Sequence, residues 1–143
     1  MKPTSLLALF LSVWLTAGCA DSASTTSPTP TTATTSTEIF AGTLDPGGSS
    51  FYSFSVTQGG VVTVNLASLT TGSSVRTTSA AVVGLGIGIP SGTDCAVSTS
   101  TETSAALAAQ MTNERTAGTY CVRVHDVGQL EVPLNFAIRI VHP

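Results

Sequence analysis

Three stretches of this chain alternate apolar and polar side chains with a period of two. That rhythm limits the fold more than any other feature. In 51–57, Tyr52, Phe54 and Val56 share one face, and Ser53, Ser55 and Thr57 share the other. Around 120–125, Tyr120, Val122 and Val124 alternate with Cys121, Arg123 and His125. In 134–141, Leu134, Phe136, Ile138 and Ile140 alternate with Asn135, Ala137, Arg139 and Val141. Successive side chains of an extended chain point to opposite faces, so each stretch is expected to be a half-buried strand.

The segments between these stretches extend the pattern. Glu38–Leu44 is expected to form the first strand. Asp45-Pro46-Gly47-Gly48 closes it, because proline presets φ and glycine accepts positive φ. Val61–Leu69 lines up Val62, Val64, Leu66 and Leu69, and Gln58-Gly59-Gly60 turns the chain before it. Val82–Ile89 places Val83, Leu85, Ile87 and Ile89 on one face and Gly84, Gly86 and Gly88 on the other. Glycine at every second position empties that face, so backbone or another layer is expected to approach closely there. Cys95–Thr99 reads as a short strand. Ala105–Met111 is ambiguous, since its alanines favour a helical turn and its neighbours favour a strand. The chain holds 24 Thr and 18 Ser among 143 residues and only 9% charged residues, a composition unlike that of a helical bundle. The expected class is all-β: an antiparallel β-sandwich of seven or eight strands.

The amino-terminal part reads differently. Met1-Lys2 is a short positive start, and Leu6–Thr16 is an apolar run of 11 residues. A bilayer-spanning helix needs about 20 residues, so the run reads as the apolar part of a secretion signal. Leu15-Thr16-Ala17-Gly18-Cys19 ends it and looks like a bacterial lipobox. That motif implies residues 1–18 as a lipoprotein signal peptide, cleavage after Gly18 and acylation (palmitate and related chains) on Cys19. Ala20 stands where an Asp would resemble an inner-membrane retention signal, which leans toward the outer membrane of a Gram-negative cell. The alternative is an ordinary signal cut after Ala20, which would release a secreted protein. Residues 19–37 then form a Ser/Thr/Pro-rich tether with no large apolar side chain, expected to be disordered. A flexible chain of that length spans roughly 20–25 Å. Residues 38–143 make up the sandwich domain, a normal size for one core.

Four pieces of that domain, taken in order, resemble a known family. They are Phe40-Ala41-Gly42-Thr43-Leu44, Phe51-Tyr52-Ser53-Phe54-Ser55-Val56, Gly60-Val61-Val62-Thr63-Val64-Asn65-Leu66 and Gly118-Thr119-Tyr120-Cys121-Val122-Arg123-Val124. Together they resemble the bacterial pre-peptidase C-terminal (PPC-like) domains. The resemblance implies a jelly-roll-like sandwich without catalytic activity of its own. Such domains accompany secreted enzymes, whereas this chain carries no peptidase.

With Cys19 lipidated, Cys95 and Cys121 remain, and an oxidising compartment favours a disulfide between them. Searching for reactive chemistry yields little. His125 and Asp126 are neighbours in sequence and face opposite ways on a strand. Gly48-Ser49-Ser50 and Gly72-Ser73-Ser74 read as loops without a positioned base, and the chain has no G-x-S-x-G elbow. Glu114, Glu131, Asp94 and Asp126 are candidates for a carboxylate pair of a small secreted hydrolase. Asp45, Asp94 and Asp126 are candidates for calcium, against the plainer reading of turn-forming side chains. Tyr52 is the best candidate for an exposed aromatic platform. No catalytic residue, metal or cofactor is expected. Lys2 is the only lysine, which excludes a nucleic-acid footprint. The expected protein sits in the cell envelope, on a membrane through its lipid. Its sandwich is expected to serve a binding or structural role, with a polysaccharide or an envelope protein as a candidate partner; the alternative is a module that binds a polysaccharide or a surface protein through the 70–80 and 98–117 loops.

Overall fold

Alternation of this kind leaves every strand with one greasy face, and two such sheets must bury those faces against each other. The computed structural model, which describes residues 34–72 and 80–143, does this with eight strands. They are β1 (Ser36–Leu44), β2 (Ser49–Val56), β3 (Gly60–Thr70), β4 (Val83–Ser91), β5 (Asp94–Thr103), β6 (Met111–Arg115), β7 (Gly118–Asp126) and β8 (Leu134–His142). One four-stranded sheet runs β1-β8-β3-β6 and the other β2-β7-β4-β5. All pairs are antiparallel. Each connection crosses from one sheet to the other except the β4–β5 hairpin, and this is the jelly-roll arrangement.

The core is the set of inward positions. Val62, Val64, Val83, Leu85, Ile87, Val122, Val124, Ile138 and Ile140 have no exposed surface. In β8 the alternation is complete from Leu134 to His142. Residue 47, third in the β1–β2 turn, has φ 69°, and Gly48 donates to the Asp45 carbonyl at 2.8 Å. That conformation is why the turn carries glycine after proline.

Leu66 and Leu69 are three apart, yet both are fully buried. A regular strand would turn Leu69 outward. A bulge between Leu66 and Ser68 inserts Ala67 and restores the inward direction of Leu69, opposite Phe136.

Several boundaries differ from those expected. The first strand begins at Ser36, two residues inside the stretch read as tether. Ser49 and Ser50 open β2 and are not loop residues. The fifth strand is twice as long as Cys95–Thr99, reaching Thr103. Most of the 98–117 region read as a loop is therefore β5 and β6. Ile89 does not join the core: it is 60% exposed, one residue past the last β4 position paired with β7 and next to the β4–β5 hairpin.

Residues 105–110 form neither the helical turn nor the strand considered for them; β6 starts only at Met111. The reason is a side-chain clip along the edge of β3 beyond the end of β6. Gln110 Oε1 accepts the Leu66 N–H at 2.7 Å, and its Nε2 donates to the Leu66 carbonyl at 3.3 Å. One side-chain amide thus pairs with a strand residue as a neighbouring strand would. Asn65 Nδ2 donates to the Ala106 and Ala108 carbonyls at 2.8 and 2.6 Å. With these bonds made to β3, the segment has no helical ladder of its own.

Candidate functional site

Cys95 and Cys121 form a disulfide with Cα atoms 5.9 Å apart. They lie on β5 and β7, the two strands that flank β4, so the bond crosses over β4. Neighbouring strands are about 4.8 Å apart, and two strands with a third between them are normally about twice that. Gly88 closes the gap. The Ala96 carbonyl oxygen occupies the position that a β-carbon on Gly88 would take, and Val97 Cα is 2.7 Å from it. β5 therefore leans over β4, with an irregular register between Ile87 and Gly88. Gly86 is covered by Val97, whose Cγ1 would lie 2.7 Å from an added β-carbon, and Gly84 by the His125 ring. The glycine face is thus closely approached, by side chains over 84 and 86 and by main chain over 88.

This outer face carries the sheet's polar groups. Arg123 Nη1 is 3.6 Å from Asp94 Oδ2, an exposed pair worth at most about 1 kcal/mol. Arg123 Nε and His125 Nδ1 are buried atoms without a hydrogen-bond partner. Phe51 pairs with Arg123, and Ser49 with His125, across β2 and β7. Although Ser49 stands opposite a histidine, the imidazole is laid over Gly84 and Asp126 points elsewhere, so no relay forms.

Asp126 is a turn-builder. Its Oδ1 accepts the N–H groups of Gly128, Gln129 and Leu130 at 2.9, 3.0 and 3.2 Å, and Oδ2 accepts that of Gly47 at 2.8 Å. The carboxylate pins the β7–β8 connection to the β1–β2 turn. The Gly47 bond above all, then the three others, holds its pKa below the ordinary 3.8 against a contribution from burial. Asp94 accepts the N–H of Cys95 at 2.7 Å besides pairing with Arg123.

Glu114 is exposed on β6. Glu131 lines a shallow pocket of about 190 Å³ with Thr71, Leu130 and Leu134. The four acids weighed for hydrolysis thus lie on β5, β6, β7 and the β7–β8 connection. Among the described residues no three His, Cys, Asp or Glu side chains gather as metal ligands would. Cys19, Ser73 and Ser74 lie outside the described residues, as does most of the 70–80 loop.

One polar constellation escaped the sequence reading. Tyr52 donates its hydroxyl to Glu38 Oε2, and His142 Nε2 lies 2.9 Å from Glu38 Oε1. His142 Nδ1 is 3.0 Å from the Pro143 main-chain oxygen. The three side chains come from β1, β2 and β8, so they tie the two sheets together at the margin where β1 of one sheet touches β2 of the other. The hydrogen bond to Glu38 first, then its charge and burial, raises the Tyr52 pKa above the ordinary 10.0. Tyr52 also stacks on Phe40 with ring centroids 5.5 Å apart. It is a sealed, half-buried member of the core margin and not an open platform. The signal for His142 was present: it continues the inward stripe of β8 at the next alternate position.

No protein-family model matches the chain, and no curated protein shows significant sequence similarity to it.

Proposed function

We propose that this chain is a lipid-anchored envelope protein that displays a non-catalytic, PPC-like jelly-roll sandwich for a binding or structural role. The observation that carries the reading is Leu15-Thr16-Ala17-Gly18-Cys19 at the end of an 11-residue apolar run. Residue type, spacing and chain position all agree with acylation at Cys19. The polar composition of 19–35, ahead of β1, supports a leash between lipid and domain. On this reading the protein sits on the outer membrane if its cell has one. Two acids with structural roles support the non-catalytic part: Asp126 pins one turn to another, and Glu38 bridges the two sheets.

The test is Cys19→Ser in the producing bacterium. The native chain should sediment with membranes and carry the mass of acyl chains. The variant should move to the soluble fraction. A variant that stays in the pellet overturns the lipid anchor.

A second reading, a polysaccharide-binding module, rests on the outer face of β2-β7-β4-β5. Half-buried Phe51 and Arg123 lie opposite each other there across β2 and β7, offering a ring and a guanidinium to a sugar. A glycan array should then show binding that Arg123→Ala abolishes, and an array without signal overturns it.

A further inference from the structure

A neutral imidazole has one N–H and one bare nitrogen, and only the imidazolium donates from both. His142 is 3% exposed and has an oxygen against each ring nitrogen. Nε2 is 2.9 Å from Glu38 Oε1, and Nδ1 is 3.0 Å from the Pro143 main-chain oxygen. A main-chain oxygen only accepts. Glu38 already receives the Tyr52 hydroxyl proton on Oε2, so it too stands as an acceptor. A neutral ring therefore sets one lone pair against an oxygen at hydrogen-bond distance, away from water. A proton on each nitrogen turns both contacts into bonds, one of them to a charge. Placing that proton on Oε1 instead leaves the count unchanged: the pair holds one proton more than a neutral ring beside a carboxylate.

The contact sits where β1 begins. β1 is a border strand of its sheet, Ser36 at its start stands opposite His142, and Glu38 is its third residue. Through one carboxylate the entry end of β1 is fastened to β2 of the other sheet and to β8 of its own. Among the described residues, the titratable groups facing the ring are Glu38 from β1 and, through that carboxylate, Tyr52 from β2. The uncharged Phe54 ring of β2 lies 5.2 Å from it between centroids. Tyr120 on β7 packs on Phe54 in turn, and Arg115 on β6 lies over the Tyr120 ring. From β3 comes only Gly60, which Pro143 covers.

We propose that His142 is a proton-operated latch on the entry end of β1. With a proton on each ring nitrogen it fastens β1 and Pro143 to the margin of the core. When the ring gives up one proton, the bond to Glu38 is lost and residues 36–40 loosen from β8. Histidine changes charge in the range of about pH 5 to about pH 8, so the latch is closed on the acid side of that range and opens as pH rises through it. The device needs neither the lipid anchor nor a ligand.

The experiment is hydrogen exchange of the full chain, read as protection factors so that the chemical effect of pH on exchange is divided out. Between about pH 5 and about pH 8 the β8-bonded amides within 37–40 should lose protection by roughly tenfold, while Val62 and Val64 in β3 keep theirs. His142→Gln should abolish the difference. His125→Gln, at the only other histidine, should leave it intact. Glu38→Gln, at a half-buried position, should also abolish it, because an amide both donates and accepts and so bonds either form of the ring. Should His142→Gln show free Cys95 and Cys121 thiols instead of folding, Glu38→Gln decides. Equal protection of 37–40 across the range, a strand looser on the acid side, a difference that survives in a folded His142→Gln or Glu38→Gln chain, or one that His125→Gln removes, overturns the proposal.

Discussion

Ala96 places its carbonyl oxygen where Gly88 would carry a β-carbon, and this contact lets β5 reach across β4 to join Cys95 to Cys121. The glycine and the disulfide form one device. Without the open face of Gly88, β5 would lie beside β4 at normal strand spacing, and the two sulfurs would be out of reach.

A side chain at Gly88 should therefore disturb both. Gly88→Ala should cost about 1–3 kcal/mol through overcrowding against main chain, which cannot rotate away. Thermal melting should show the loss, and thiol titration should show a rise in free cysteine. Gly59→Ala is the control, because an added β-carbon there would be 3.6 Å from the Arg115 carbonyl oxygen, an ordinary contact.

Replacing both Cys95 and Cys121 by Ser should lower stability by roughly 3.5 kcal/mol, the loop-closure entropy for a separation of 26 residues. Denaturant unfolding of the oxidised native chain against the variant measures this. Native protein with free thiols at both positions would contradict the structure.

The Gln110 clip should be local and measurable. Gln110→Ala leaves the Leu66 N–H at the β3 edge without its partner and should cost about 1–3 kcal/mol. Hydrogen exchange at Leu66 should quicken. Leu107→Ala in the same connection should change stability by less than about 0.5 kcal/mol, because Leu107 is fully exposed.

Acid stability should depend on Asp126. Its folded pKa lies below the ordinary 3.8, so its contribution is complete above that value and fades as pH falls through the lowered folded value. Asp126→Asn should flatten the acid limb of the stability profile. An unchanged acid limb would remove Asp126 from this role.

Alkaline stability should depend on Tyr52 in the opposite sense. The fold favours its neutral hydroxyl, so the contribution is complete below 10.0 and is lost as pH rises through the raised folded value. Tyr52→Phe should flatten the alkaline limb, seen by titrating tyrosinate absorbance alongside unfolding.

Much of the fold was legible in the sequence because period-two burial is a local property. The inward stripes of β2, β3, β7 and β8 were readable residue by residue, as was the Asp45–Gly48 turn. The ambiguity at 105–111 arose because Gln110 and Asn65 satisfy groups more than forty positions away, which no local pattern reports. Ile89 continued a perfect alternation and is still exposed, because burial depends on what faces a residue and not on its own strand. Tyr52 looked available for a ligand for the same reason: its partners, Glu38 and Phe40, lie on another strand of the other sheet.

By itself, then, the sequence determined most of the strands, their buried faces and the Asp45–Gly48 turn, because each rests on neighbours a few positions apart. The tertiary structure alone decided that the Cys95–Cys121 bond passes over Gly88 and that Glu38, Tyr52 and His142 bridge the sheets. These are relations between strands distant in the chain. They come into being only when jelly-roll crossings bring those strands side by side.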